Sequence, residues 1–140
     1  QAQRLWFAET VVRLAHNYGA LVVINDDEEI ARRTGADGVH LSAARLATCT
    51  RRPDFAWVGT SCHNAEEIAR GGELDLDYAL LGPVLPTPTH PESAGLGWTA
   101  FAGMLAGSTL PVFALGGMQP AMLAAAQGHG AHGIALMRGW

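Results

Sequence analysis

Two threonines that alternate across a proline, Thr87-Pro88-Thr89, are the residues of this chain best suited to hold a small oxyanion. They sit in Tyr78–Gly97, YALLGPVLPTPTHPESAGLG, where an apolar run of about seven residues feeds a Gly-Pro pair and then a loop of prolines, threonines and glycines. Two hydroxyls and the backbone between them can converge on one anion, and Pro86, Pro88 and Pro91 reduce the entropy lost on ordering the loop. The same composition serves a rigid surface connection, and the sequence leaves both readings open. Other groups able to do chemistry recur in matching places. Asn25-Asp26, His40, Ser61, Gly116-Gly117 and Met137-Arg138 each end or follow a short apolar run.

Such groups act together only if the elements carrying them end together. Gln1–Asn17 predicts a helix, with Leu5, Trp6, Phe7, Val11, Val12 and Leu14 making a broad apolar face and Gly19 standing where a left-handed cap belongs. Ala20–Asn25 (ALVVIN) predicts a strand covered on both faces, after which Asp26-Asp27 can cap a short helix through Arg33. Gly38–Leu41, Ala56–Ser61, Tyr78–Val84, Pro111–Leu115 and Gly133–Met137 repeat the pattern between mostly alanine-rich helical stretches. GADGVHL and GAHGIAL echo one another at two of these strands.

This alternation, at spacings of roughly 20 residues, predicts an α/β fold with a parallel sheet and helices outside it. The chemistry-bearing residues fall at the C-terminal ends of all six strands. That favours a TIM (β/α)8 barrel, whose strands open on one mouth, over an open sheet with a switch point. Eight strands are needed, and the chain opens on a helix without its strand and closes on its sixth strand. Residues 1–140 therefore read as a single, incomplete barrel domain lacking the first two strands, the C-terminal part of a longer protein. Two exposed sheet edges would favour a homo-oligomer.

A 49% apolar chain of 140 residues can bury one sizeable core. A net charge of −4, from nine Lys+Arg against 13 Asp+Glu, leaves no basic stripe for nucleic acid or anionic lipid. Cys49 and Cys62 lack a secretory or metal-binding spacing and fit a reducing compartment, so cytoplasm is expected. No apolar run approaches the roughly 20 residues of a membrane span, and no signal-peptide pattern opens the chain. A start at Gln1 without Met is expected of a processed or excised fragment.

Taken in order, INDD, GADGVHLS, VGTSCH, LLGPVLPTPTH, ALGGM and GIALMRG resemble the thiamine-phosphate synthase / thiazole tautomerase family of barrels from Ala20 onward. The resemblance makes the six strands family strands three to eight. It implies a transferase that joins a pyrimidine carried on a diphosphate to a thiazole phosphate with Mg²⁺ assistance. On it, Asn25 would touch the pyrimidine, Asp26 would be a Mg²⁺ ligand and Ser61 would meet the diphosphate. Thr87, Pro88 and Thr89 would hold the thiazole phosphate, completed by Gly116, Gly117 and the backbone at Met137-Arg138. Glycines suit that task because they let main-chain N–H groups approach a phosphate. Bland roles compete: a helix cap for Asp26 or Ser61, a tight turn for Gly116-Gly117.

Departures from the family pattern point to altered chemistry. Ala43 and Arg45 stand where the synthase has a glutamine and a second Mg²⁺-binding aspartate, so Arg45 could neutralise diphosphate but could not hold the metal. His90 replaces a lysine that meets the diphosphate, and Arg138 replaces a serine. The tautomerase histidine falls at Pro83, which cannot move a proton. His40, His63 and His90 could be grouped as metal ligands, against the simpler reading of strand-end residues. His16, His129 and His132 read as helix-end or loop residues, and Trp57, Trp98 and Phe113 as packing between barrel and helices. The TPT loop and ALGGM look most like barrels fused C-terminal to Nudix hydrolases. The expectation is a barrel binding a phosphorylated thiamine precursor with synthase activity weakened or lost. Its alternatives are an active synthase and a non-catalytic accessory domain of a Nudix hydrolase.

Overall fold

The computed structural model describes residues 2–88 and 91–138, so Thr89 and His90 of the sequence reading lie outside the described residues. Helices and strands alternate: α1 (Ala2–Asn17), β1 (Val23–Asn25), α2 (Glu28–Thr34), β2 (Gly38–Leu41), α3 (Ala43–Thr48), β3 (Trp57–Cys62), α4 (Ala65–Glu73), β4 (Tyr78–Leu81), α5 (Gly97–Leu105), β5 (Val112–Leu115), α6 (Leu123–Gly128) and β6 (Gly133–Ala135). All six strands pair in parallel in sequential order, as in a TIM barrel, and β1 and β6 are the edges of a sheet that does not close.

Local chemistry sets the boundaries. Asp27, not Asp26, caps α2, its Oδ1 accepting from the Ile30 N–H at 2.9 Å, and Gly35 closes that helix in the left-handed region. Ser42 and Asn64 cap α3 and α4. The strands are shorter than the apolar runs suggested. Val23–Asn25 replaces Ala20–Asn25, and β4 ends at Leu81, since Pro83 has no N–H to give the ladder.

Strand residues alternate between two faces. Val39, Leu41, Val58, Thr60, Cys62, Ala79, Leu81, Val112 and Ala114 point to the helices and are fully or almost fully buried with Leu46, Ile68 and Phe101. Burial pushes the Cys62 thiol up to about 12, so it packs as an apolar group. His40, Gly59, Ser61, Tyr78, Leu80, Phe113 and Leu115 share the opposite parity and form the inner face. Phe113 thus corrects an expectation: it meets Tyr78 and His132 edge-on inside the sheet rather than packing under a helix. Trp57 is likewise on the inner parity and 42% exposed, whereas Trp98 packs among helices, edge-on to Phe101 and stacked on His129. The apolar face of α1 is only partly covered. Ala8 and Val12 are buried, but Trp6, Phe7 and Leu14 are exposed. Among the described residues no helix is long and apolar enough to cross a membrane.

At the N-terminal ends of the strands one device is used twice. Asp37, just before β2, accepts from the Val22 N–H at 2.7 Å and faces His16 at 2.9 Å. Asp77, just before β4, accepts from the Val58 N–H at 2.6 Å and from Arg52 at 2.7 Å. The Val22 N–H, then His16, hold the Asp37 carboxyl below its ordinary value. His132 takes the equivalent place before β6, donating its N–H to the Val112 carbonyl at 2.7 Å as Asp37 and Asp77 do to Val22 and Val58.

Candidate functional site

The opposite ends of the strands carry the candidate residues, and the structure sorts them into two groups. The first surrounds a cavity of about 290 Å³ between the ends of β3, β4, β5 and β6. Ser61, Thr87, Pro88, Gly116, Gly117, Met137 and Arg138 line it, so seven residues singled out in the sequence converge there. Its floor is apolar, from Leu80, Leu115 and Ala135, and Pro83 forms part of the wall.

Backbone bonds fix the loop that brings Thr87 to this place. Val84 and Leu85 donate to the carbonyls of Leu115 and Gly116 at 2.8 and 3.2 Å, while Leu96 and Gly97 donate to Pro83 and Val84, both at 2.8 Å. The loop therefore leaves and returns at one point, tied to the end of β5. Gly116 has φ +98, and a Cβ there would lie 2.6 Å from the Pro83 Cα. Only glycine permits that approach.

Ser61 is placed by the inner face of the sheet. Its Oγ lies 2.8 Å from His40 Nε2, and His40 Nδ1 lies 3.1 Å from the Tyr78 hydroxyl. The helix-capping role considered for Ser61 belongs instead to Asn64, which accepts from the Glu67 N–H at 2.9 Å. His40 is buried, and burial holds its imidazole below the ordinary value despite the Asp26 carboxylate, so the ring is neutral at pH 7. Burial, with a smaller effect of Asp77, pushes the Tyr78 phenol up to about 12. His63 lines the cavity but turns to Glu67, 3.2 Å away.

The second group, Asn25, Asp26 and Arg45, stands apart at the ends of β1 and β2, and none of the three lines the cavity. Asp26 has φ +55 and is exposed, its Oδ1 accepting from the Ser42 N–H at 2.8 Å. Arg45 reaches Glu28 at 3.4 Å, and Glu28 also faces Arg32 at 3.4 Å. Ala43 is the first residue of α3. Among the described residues no three His, Cys, Asp or Glu side chains converge on one point. His40, with both ring nitrogens engaged, and His63, turned to Glu67, do not form the suggested metal cluster.

Tyr78 is the residue sequence reasoning missed. It stands at the head of an apolar strand, yet period-two parity puts it on the face of Ser61 and His40, where its hydroxyl needs a partner.

Residues 1–140 match the family described as thiamine monophosphate synthase. Thiamine-phosphate synthase of Mycobacterium tuberculosis (strain ATCC 25177 / H37Ra) is 38% identical over 135 residues, covering 93% of this chain and 61% of that protein. A putative thiamine-phosphate synthase of Geobacter sulfurreducens is 36% identical over 140 residues, 95% of this chain and 64% of that protein. The chain thus spans about three fifths of the length of these relatives. Among solved structures, thiamine phosphate pyrophosphorylase from Pyrococcus furiosus superposes with a TM-score of 0.77 at 23% identity, covering 96% of this chain and 66% of that one, a likeness of fold.

Proposed function

The chain belongs to the thiamine monophosphate synthase family, and from that premise we propose that its barrel mouth binds a phosphorylated thiamine precursor in the cavity at the ends of β3 to β6, with synthase activity weakened. The observation that carries this reading is the meeting of Ser61, Thr87, Gly117 and Arg138 around one cavity with an apolar floor. Hydroxyls and a guanidinium at the rim suit a phosphate, and the floor suits a flat heterocycle.

The residues at the ends of β1 and β2 fit Mg²⁺ poorly. Asp26 has one oxygen occupied by the Ser42 N–H and its neighbour in the family pattern is a cation, Arg45, so the six oxygens of the octahedron would have to come almost wholly from water and diphosphate. We therefore assign Asp26 to holding the start of α3 and Arg45 to charge neutralisation of a diphosphate. Pro83 in the cavity wall supplies no proton, which disfavours a tautomerase.

The test is calorimetric titration of thiazole phosphate and pyrimidine diphosphate into the protein, with and without Mg²⁺. Thiazole phosphate should bind equally in both conditions and fail to bind Thr87→Ala. Coupling of the two precursors at the rate of the mycobacterial relative assayed alongside would overturn the weakened activity and favour the active-synthase alternative. Absence of binding by both ligands would favour an accessory barrel docked on a Nudix hydrolase domain. The exposed Trp6 and Phe7 of α1, 64% and 63% accessible, give that second reading an observation of its own.

A further inference from the structure

We propose that Tyr78, His40 and Ser61 form a directed hydrogen-bond relay that turns the Ser61 hydroxyl proton into the cavity, making Ser61 a donor reserved for an anion. The inference rests on the anion-binding reading above and deepens it: His40 becomes a positioning residue for the ligand, although it does not line the cavity.

The three side chains come from adjacent strands, β4, β2 and β3. Tyr78 has little room to move, because its ring lies over Gly59, where a Cβ would come within 2.0 Å of it, and its edge meets Phe113 at 6.0 Å. The phenol oxygen is thereby held 3.1 Å from His40 Nδ1, and the other ring nitrogen is 2.8 Å from Ser61 Oγ. A neutral imidazole carries one N–H, so the chain of bonds can run in only two directions. A phenol is a stronger donor and a weaker acceptor than an aliphatic alcohol, since its oxygen lone pair is delocalised into the ring. Tyr78 therefore donates to Nδ1 and Nε2–H donates to Ser61 Oγ. The Ser61 proton is left outside the relay and faces the cavity. In the opposite direction Ser61 would donate to the ring and turn only lone pairs on the ligand, which repels an anion. Each bond polarises the next, so the preference of the phenol is transmitted to the serine.

Two measurements test this. Nitrogen-15 imidazole NMR of the unliganded protein, with His40 assigned through His40→Asn, should show the Nε2–H tautomer, and the Tyr78→Phe variant should lose that preference. An Nδ1–H tautomer in the unsubstituted protein overturns the proposal whatever the protein binds. Inorganic pyrophosphate is the probe for the second measurement. Tyr78→Phe should weaken it about three- to tenfold, the worth of one oriented hydrogen bond, and should add nothing in a Ser61→Ala background. Equal affinity of Tyr78→Phe and unsubstituted protein, with Ser61→Ala still weak, sinks the relay and leaves the anion site standing. Failure of the unsubstituted protein to bind thiazole phosphate or pyrophosphate sinks the anion site, and the tautomer alone then decides the relay.

Discussion

The two halves of the barrel mouth carry the same kinds of residue and use them differently. At the ends of β3 to β6, hydroxyls, glycines and a guanidinium line one open cavity, and backbone bonds between the β4 loop and the end of β5 hold its walls. At the ends of β1 and β2, an aspartate and an arginine lie on the surface and find partners in Ser42 and Glu28. A charge next to a helix start or an opposite charge is satisfied locally, whereas polar side chains that line a cavity can also reach a ligand held in it. The difference teaches that the proposed binding centres on the later half, while in the earlier half Asp26 and Arg45 are also engaged with the start of α3 and with α2.

The most severe way to break that contrast is Gly116→Ala. The new Cβ would meet Pro83 while the backbone sits at φ +98, so stability should fall by about 2–3 kcal/mol in urea unfolding and thiazole phosphate should no longer bind. Retained binding would mean that the cavity wall is softer than its hydrogen bonds imply.

A pH titration sharpens the contrast at its boundary, where His40 lies between the halves. Its pKa is lower folded than unfolded. The neutral ring therefore contributes stability that is fully present above the unfolded value of about 6.5 and is lost as pH falls from there through the folded value. His40→Asn should flatten this part of the curve, and an unchanged slope would show that His40 is not the group responsible. Asp37, also depressed, acts in the same direction only in the more acid range below the ordinary carboxylate value.

The smallest effect belongs to the earlier half. Arg45→Ala removes a half-exposed ion pair and should change stability by no more than about 0.5 kcal/mol, while pyrophosphate affinity drops about threefold and thiazole phosphate affinity stays the same. Adding a chelator should change neither affinity. A large chelator effect would return Asp26 to a metal-binding role and erase the distinction between the halves.

Most of the architecture was legible because continuous β-branched runs, helix-ending glycines and short polar caps agree with one another along the chain. The convergence of Thr87, Gly117 and Arg138 could be anticipated, since strand ends in a parallel barrel must meet. What stayed hidden depends on parity rather than composition. YALL reads as apolar throughout, and only the register Gly59↔Tyr78 and Ser61↔Leu80 reveals that its first residue shares a face with Ser61. Phe113 was assigned to the wrong side for the same reason. The exposed face of α1 was illegible as well, because an apolar stripe states what could be buried and not what covers it.

The paired aspartates at the far ends of the strands also say where the domain could be divided. Asp37 ties β2 to the segment entering β1, Asp77 ties β4 to β3, and His132 holds β6 to β5. Counted this way the sheet has three duplexes, and the first seam runs between β2 and β3. The chain crosses it through the exposed residues Thr50 and Arg51, ahead of Arg52, which belongs to the second clamp. A backbone cut between Thr50 and Arg51 leaves every clamp within one fragment, so the two pieces should reassemble when mixed. A cut between β3 and β4, which would separate Arg52 and the Val58 N–H from Asp77, should not permit it.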